Sequence, residues 1–139
     1  MKVFIDTNIW LRFFLNDVPA QSQDCIKLFQ KIEQGDYRPY TSAIVCLEAV
    51  YIYILEKLYG VPKDAIWEYI DGMLETRNLT IIEKTYTRRA IILAKASKRK
   101  ISDCLIVAQM PKEMILCTYD RELKKLYSGL VKTPGEFFD

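Results

Sequence analysis

The chain has 139 residues, half of them hydrophobic, and its 20 basic and 18 acidic residues leave a net charge of +2. This length and composition predict a single globular domain over residues 1–139, and the near balance of charge means that any nucleic-acid binding has to be local. Because the chain contains no histidine, Ser-His-Asp and Cys-His catalysis and the usual zinc sites are excluded.

Strands and helices alternate along the sequence. The predicted strands are KVFID, the short YRPYT, LTIIE and EMILCT. The predicted helices are NIWLRFFL, residues 20–34, TSAIVCLEAVYIYIL, KDAIWEYIDGMLE, TRRAIILAKASK, DCLIVAQM and RELKKLY. Gly35 ends the second helix, Thr41 or Ser42 caps the third, which runs to Gly60, Pro62 precedes the fourth, and Ser102 caps DCLIVAQM. The tail LVKTPGEFFD follows without an assignment. Strands separated by helices favour an α/β fold with a parallel sheet covered on both faces.

The apolar runs and the cysteines bear on the compartment. No run is long enough to span a membrane, and the N-terminal MKVFIDTN lacks the apolar region of a signal peptide. The four cysteines lie far apart within apolar patterns, as buried thiols do, at positions 25, 46, 104 and 117. We therefore expect a soluble, cytoplasmic protein without membrane contact.

Glu48 lies in a helix that is apolar on nearly all sides. An ionised carboxylate in such a place is costly unless a cation or hydrogen-bond donors accompany it. The two explanations are a functional role and a buried ion pair, for which Arg12 is a candidate partner.

Three further acids stand beside apolar segments. Asp6 ends the first strand, Asp120 follows the strand EMILCT, and Asp103 opens a mostly apolar helix. Each also has a structural explanation: Asp6 as a helix cap, Asp120 as a turn residue and Asp103 as a first-turn acid favoured by the helix dipole. However, ligands of parallel sheets gather at the carboxyl ends of the strands, which is where these acids lie.

A joint explanation covers all four acids. Carboxylates that converge in a partly dry cleft repel one another unless a hard cation neutralises them, and oxygen-only ligation selects Mg²⁺ or Mn²⁺. Such an ion can orient a phosphodiester, supply hydroxide near neutral pH and stabilise the leaving oxygen without histidine. The chemistry inferred from the residues is phosphodiester hydrolysis.

Four segments, in this order and spacing, resemble the PIN domain family, and within it the VapC-type toxin ribonucleases. They are VFIDTNIWL, SAIVCLEAVYIY, ISDCLIVAQM and ILCTYDREL, and they extend over essentially the whole chain. The resemblance implies a PIN-like three-layer sandwich with a central parallel sheet of about five strands. It also implies metal-dependent endoribonuclease activity on RNA, a homodimer, and inhibition by a separately encoded antitoxin.

The resemblance also implies residue roles. Asp6, Glu48 and Asp103 would hold Mg²⁺ or Mn²⁺, and Asp120 would complete the site directly or through water, with Glu122 as a competitor for that role. Asn8 and Thr118 would orient the carboxylates or contact the phosphate. Candidate RNA contacts are Arg12, Lys98, Arg99 and Lys100, although basic residues late in a helix also favour the helix dipole and solubility.

Rival functions differ in what the sequence supplies for them. A phosphoaspartyl phosphatase would need D-x-D after the first strand, where this chain has Asn8, and neither the paired acids nor the catalytic lysine of a receiver domain is evident. The alternative that stays open is a non-catalytic or housekeeping PIN module that binds RNA or protein.

Overall fold

In the computed structural model, which describes residues 1–48 and 60–139, five strands form one sheet. They are β1 (Lys2–Ile5), β2 (Arg38–Ser42), β3 (Thr80–Ile82), β4 (Ile115–Cys117) and β5 (Val131–Lys132). The strand order is β3-β2-β1-β4-β5, and every neighbouring pair is parallel. The predicted α/β fold with a parallel sheet of about five strands is confirmed.

Helices connect the strands. They are α1 (Thr7–Leu15), α2 (Pro19–Gln34), α3 (Ala43–Glu48), α4 (Lys63–Leu74), α5 (Thr87–Ser97), α6 (Ile101–Gln109) and α7 (Arg121–Leu126), followed by a 3-10 turn at Pro134–Phe137. The right-handed crossover rule assigns α1 to α4 to one face of the sheet and α5 to α7 to the other. The predicted continuation of the Glu48 helix to Gly60 falls on residues 49–59, outside the described residues.

The centre of the sheet and an aromatic cluster form the main core. Val3, Phe4 and Ile5 of β1 are fully buried, as expected for a central parallel strand that is covered on both faces. On the helices above, the ring of Phe29 lies 4.9 Å from that of Trp10 and 4.2 Å from that of Phe13, measured between centroids. This packing fixes α1 and α2 against each other and against the strand that ends in Asp6.

Some predicted helix boundaries are confirmed and one is wrong. Ser42 is the cap of α3, since its Oγ accepts a hydrogen bond of 3.1 Å from the amide of Ile44. Thr41 donates instead to the Ile5 carbonyl at 3.0 Å. Ser102 does not cap the next-to-last helix, because α6 already begins at Ile101 with Lys100 at the cap position. The tail also contains β5, which has only two residues and therefore gives no periodic signal.

The structure bears on two of the features from which the cellular location was predicted, the apolar segments and the cysteines. No helix in the described part of the chain is long and apolar enough to cross a membrane. All four cysteines are free thiols. Cys25, Cys104 and Cys117 are buried, as the sequence predicts, but the prediction was wrong for Cys46, which is only partly buried.

Candidate active site at the carboxyl ends of the strands

The strand order reverses between β1 and β4. The chain leaves β1 toward β2 on one side and reaches β5 from β4 on the other, and a crevice opens at such a switch point. Asp6 follows β1 and Thr118 follows β4, and the Asp6 amide donates to the Cys117 carbonyl at 3.1 Å. Both side chains therefore lie at the floor of the crevice.

A hydrogen-bonded group of three side chains fixes the Asp6 carboxylate. Its Oδ2 accepts from Thr118 Oγ1 at 2.6 Å and from Asn8 Nδ2 at 3.0 Å. Asn8 Nδ2 also donates to Thr118 Oγ1 at 3.1 Å, and Asn8 Oδ1 accepts from the Tyr119 amide at 3.1 Å. Although Asp6 occupies the cap position of α1, its side chain makes no capping hydrogen bond. The carboxylate is held by its neighbours in the crevice and not by the helix.

Burial and the neighbouring negative charges raise the pKa of Asp6. Only 5% of the residue is exposed, and desolvation raises its pKa from 3.8 to about 6. The hydrogen bond from Thr118 opposes this rise, whereas the negative charges of Asp120 and Glu48 add to it. Such a position favours a ligand that carries positive charge.

Glu48, at the end of the described part of α3, faces the same crevice. Its pKa is raised, chiefly by burial and then by the charge of Asp103, while the Ser102 and Thr7 hydroxyls and the charge of Lys100 act in the opposite direction. The Thr7 hydroxyl is itself buried without a hydrogen-bond partner in good geometry.

The predicted alternative for Glu48, an ion pair with Arg12, is not what the structure contains. Arg12 binds Asp17 at 2.8 Å, and its Nε donates to Gln21 at 2.8 Å. These contacts tie α1 to the start of α2. Arg12 therefore neutralises another carboxylate, and the positive charge that acts on Glu48 is that of Lys100.

Asp103, in the first turn of α6, and Asp120, before α7, complete the acidic group. The pKa of Asp103 is raised by burial and by the charge of Asp120, and the charges of Lys100 and Arg99 lower it. Asp120 Oδ1 also caps α7 by accepting hydrogen bonds of 2.8 and 3.3 Å from the amides of Glu122 and Leu123. Its cap role and its position among the acids coexist, because the cap uses one of the two carboxylate oxygens.

Glu122, the competitor for the last acidic position, faces two cations. Its carboxylate forms ion pairs with Arg99 and with Lys125. Its charge is not among the causes that shift the pKa of Asp6, Glu48 or Asp103, whereas Asp120 acts on both Asp6 and Asp103. The electrostatics favour Asp120 over Glu122.

The candidate RNA-binding cations differ in position. Lys100 acts on both Glu48 and Asp103, whereas Lys98 is exposed at the left-handed end of α5 (φ 58°). Arg99 is engaged with Glu122 and Arg12 with Asp17. Of the four, the two lysines have no ion pair with any residue that the structure describes.

A comparison with protein families identifies the family of the chain. The model of the PIN domain matches residues 3–129. The chain belongs to the PIN domain family. A comparison with curated protein sequences gives no significant match. Among solved structures, the chain is similar to one chain of a crystal structure of VapBC2 from Rickettsia felis bound to a DNA fragment from the VapBC2 promoter. The two chains are 18% identical and superpose with a TM-score of 0.69, and the match covers 96% of this chain and 98% of the other. At this identity the likeness supports the PIN fold.

The side chains at the crevice of this PIN domain present oxygen atoms, which are the ligands that a hard cation such as Mg²⁺ prefers. The four acids carry the negative charge, and the buried Thr7 hydroxyl, which makes no hydrogen bond of good geometry with any residue that the structure describes, adds a further oxygen. Within residues 1–48 and 60–139, however, no three acidic or cysteine side chains stand close enough together to form a metal site as they are. The acids are electrostatic neighbours, and binding a cation would require their side chains to converge further.

Two hydroxyl groups near Glu48 were absent from the predicted site. Thr7 and Ser102 both lower its pKa, and each is next in sequence to a predicted acid, Asp6 or Asp103. Their sequence signal is the pair formed with that acid, DT and SD, which is also a common helix-start pattern and therefore not specific.

Proposed function

We propose that this PIN domain, residues 1–139, is a metal-dependent endoribonuclease and the toxin of a VapBC-type toxin-antitoxin pair. The observation that carries the proposal is electrostatic. At the switch point of a parallel sheet, the pKa of Asp6, Glu48 and Asp103 is raised, chiefly by burial and further by the negative charge of another of the four acids. None of the four forms an ion pair with a residue that the structure describes. A protein that only needed to fold would have little reason to keep this repulsion.

A divalent cation, Mg²⁺ or Mn²⁺, is the group that would offset the repulsion. Asp6, Glu48 and Asp103 would hold it, and Asp120 would complete the set directly or through a water molecule. When bound, such an ion polarises the phosphodiester and lowers the pKa of water.

The remaining residues of the site have positioning roles in this proposal. Thr118 and Asn8 hold the Asp6 carboxylate in one orientation, which reduces the reorganisation needed when a cation and a phosphate arrive. Lys100 places a positive charge beside Glu48 and Asp103, where it can meet a non-bridging phosphate oxygen. The burial of Asp6 keeps the carboxylate away from bulk water, which strengthens its interaction with a cation.

Cleavage of labelled single-stranded RNA in Mg²⁺, Mn²⁺ or EDTA tests the proposed reaction. We expect internal cleavage in the metal lanes only, and loss of at least a hundredfold in rate for Asp6→Asn. The matched control is Asp36→Asn, which removes an exposed acid next to β2 at the opposite edge of the sheet and should cleave like the wild type. RNA binding without cleavage in every lane would support the alternative, a non-catalytic PIN module.

The toxin role and the partners need separate experiments. The likeness to a chain of a VapBC2 structure supports an antitoxin partner. The homodimer and the cytoplasmic location are proposals that rest on the family resemblance and on the sequence alone. Expression of the wild-type chain alone should arrest growth, and Asp6→Asn should express freely. Equal harmlessness of the two would indicate a housekeeping role, and a monomer mass in light scattering would remove the homodimer from the proposal.

A further inference from the structure

A second polar feature lies beside the start of α5, away from the four acids. The Tyr86 ring carries two cations: Lys84 Nζ lies 5.2 Å and the Arg89 guanidinium carbon 4.9 Å from its centroid. A surface cleft of about 440 Å³ is lined by Tyr86, Thr87, Arg88, Arg89 and Ile92. We name Lys84, Tyr86, Arg88 and Arg89 the basic platform.

The three cations of the basic platform have no anionic partner in the part of the chain that the structure describes. Among the described residues, no carboxylate lies at ion-pair distance from Lys84, Arg88 or Arg89, and all three are exposed. Arg89 makes one weak hydrogen bond of 3.4 Å, to the Ala108 carbonyl. The aromatic ring therefore holds cations in place while their donors stay available to an anion.

A buried glutamine fixes the basic platform to the same edge of the sheet as the acids. Gln109, at the end of α6, donates from Nε2 to the Lys84 carbonyl at 2.9 Å, and its Oε1 accepts from Ser42 Oγ at 2.7 Å. Ser42 ends β2, and Lys84 follows the end of β3. Asp103 lies in the first turn of the same helix, six residues before Gln109, which corresponds to about 9 Å of helix rise between the two residues.

We propose that the basic platform binds backbone phosphates of single-stranded RNA, a few nucleotides from the phosphodiester that is cut at the acids. This inference rests on the proposed function. A strand that reaches the acids along the carboxyl edge of the sheet passes the ends of β2 and β3, where these cations lie. The proposed function already puts one phosphate of an RNA strand at the acids, and the neighbouring phosphates of the same strand carry the negative charge that the basic platform would bind.

The test measures binding without cleavage. A fluorescent single-stranded oligoribonucleotide is titrated with the protein in EDTA at several salt concentrations, and affinity is read by anisotropy. We expect Lys84→Gln/Arg89→Gln to bind several-fold more weakly at low salt and to reduce the slope of log K against log salt by up to about 1.4, or 0.7 per lost phosphate contact.

The chain offers a matched control for this double substitution. Lys2 and Arg38 also lie over a tyrosine ring, that of Tyr40, each 5.8 Å from its centroid. Both residues begin strands and so lie at the opposite edge of the sheet. Lys2→Gln/Arg38→Gln removes the same charge, and we expect it to keep most of the affinity and slope. Equal melting temperatures of the two double variants would show that folding is not the cause of a difference.

Tyr86 is a positioning residue in this proposal. Tyr86→Ala should weaken RNA binding because it frees the two cations, and Tyr86→Phe should restore it because the ring face remains. In metal, with saturating RNA, the turnover rate of all platform variants should stay within a few-fold of the wild type.

The outcomes separate this inference from the proposed function. Identical affinities and salt slopes for the platform and control variants would overturn the basic platform, even if Asp6→Asn abolishes cleavage. Failure of the wild type to cleave RNA would overturn the proposed function, while a platform-dependent loss of affinity in EDTA would still support the binding site. If the platform variants lost binding of poly-glutamate and not of RNA, an acidic protein would be the partner and the inference would fail.

Discussion

Burial has opposite energetic effects on the strand β1 and on Asp6, the residue that follows it. Val3, Phe4 and Ile5 are fully buried among other apolar side chains, where burial of each contributes about 1.5 to 3 kcal/mol to folding. The next residue, Asp6, is almost as buried, but its burial raises its pKa and destabilises its charged form. The contrast indicates that the apolar residues of the strand supply stability, whereas the ionised acid that follows them does not, as we expect if Asp6 has the role in cation binding that we propose.

The largest effect that we expect is on the free energy of unfolding, when a buried apolar residue of β1 is replaced. Phe4→Ala should lower the free energy of unfolding by about 3 to 5 kcal/mol, because it removes a fully buried ring and leaves a cavity. Denaturant unfolding measures the loss. The rate per folded molecule should fall much less than for Asp6→Asn, since Phe4 belongs to the hydrophobic core and is not one of the four acids. A folded Phe4→Ala protein as inactive as Asp6→Asn would contradict the separation.

A substitution of the acid should have the opposite sign and depend on pH. The folded-state pKa of Asp6, about 6, lies above the unfolded value of 3.8, so the folded chain holds the proton more tightly. The stability contributed by this group is therefore present below pH 4 and is lost as the pH rises toward and through 6. In EDTA, Asp6→Asn should match the wild type near pH 4 and exceed it near pH 7.5, by at most about 3 kcal/mol.

Denaturant unfolding from pH 4 to 8 measures this difference. The expected sign follows from the loss of a buried charge, while the hydrogen bonds from Thr118 and Asn8 can be kept by the amide oxygen. A difference that is constant over the pH range would show that Asp6 titrates like an exposed aspartate.

A pair of threonine variants sharpens the comparison within the buried polar residues. Thr118 and Thr41 are both buried, but Thr118 donates to the Asp6 carboxylate and Thr41 to the Ile5 carbonyl. Thr118→Val should reduce kcat/KM for RNA cleavage roughly 10- to 100-fold, as the loss of a group that orients a metal ligand does. Thr41→Val should cost stability with little loss of rate. Equal losses of rate would make the Thr118 hydroxyl a structural contact only.

The smallest expected effect is on the salt dependence of RNA binding, when the basic residues just before α6 are replaced. Lys98→Gln and Lys100→Gln should each flatten the salt dependence of RNA binding by up to about 0.7 in slope, if each lysine contacts one phosphate. Arg99→Gln should change the slope less, because Arg99 is already engaged with Glu122. Lys112→Gln, in the loop before β4 at the other edge of the sheet, is the control. A slope unchanged in Lys100→Gln would return this residue to a role in balancing Glu48 and Asp103.

Much of the fold was predictable because its elements have strong local patterns. The apolar run of β1, the alternation of strands with helices, and the glycine that ends α2 at residue 35 are all visible in the sequence. The two-residue strand β5 was not, because its assignment depends on pairing with β4 and not on its own pattern. The cap of α6 was also wrong, since a serine near a helix start can occupy the first turn and direct its hydroxyl elsewhere.

The candidate site was predictable in its members and less so in its contacts. An acid within an apolar segment calls for a functional explanation because burying its charge is costly, and this argument identified Glu48 and Asp6 as candidates. The partner of Arg12 could not be read from the sequence, because Asp17 becomes its neighbour only through the junction of α1 and α2. The choice between Asp120 and Glu122 likewise needed the structure, which directs Glu122 toward Arg99 and Lys125.

Linkage between metal binding and unfolding is the most direct test of the central claim, that the four acids together hold a divalent cation. Denaturant unfolding is measured in EDTA and at increasing Mg²⁺ or Mn²⁺ for the wild type, Glu48→Gln and the surface control Asp36→Asn. We predict that the wild type and the control gain roughly 2.7 kcal/mol at a metal concentration a hundred times the dissociation constant, and that Glu48→Gln gains much less while equalling or exceeding the wild type in EDTA. Equal stabilisation of all three proteins, or none in the wild type, would contradict the account.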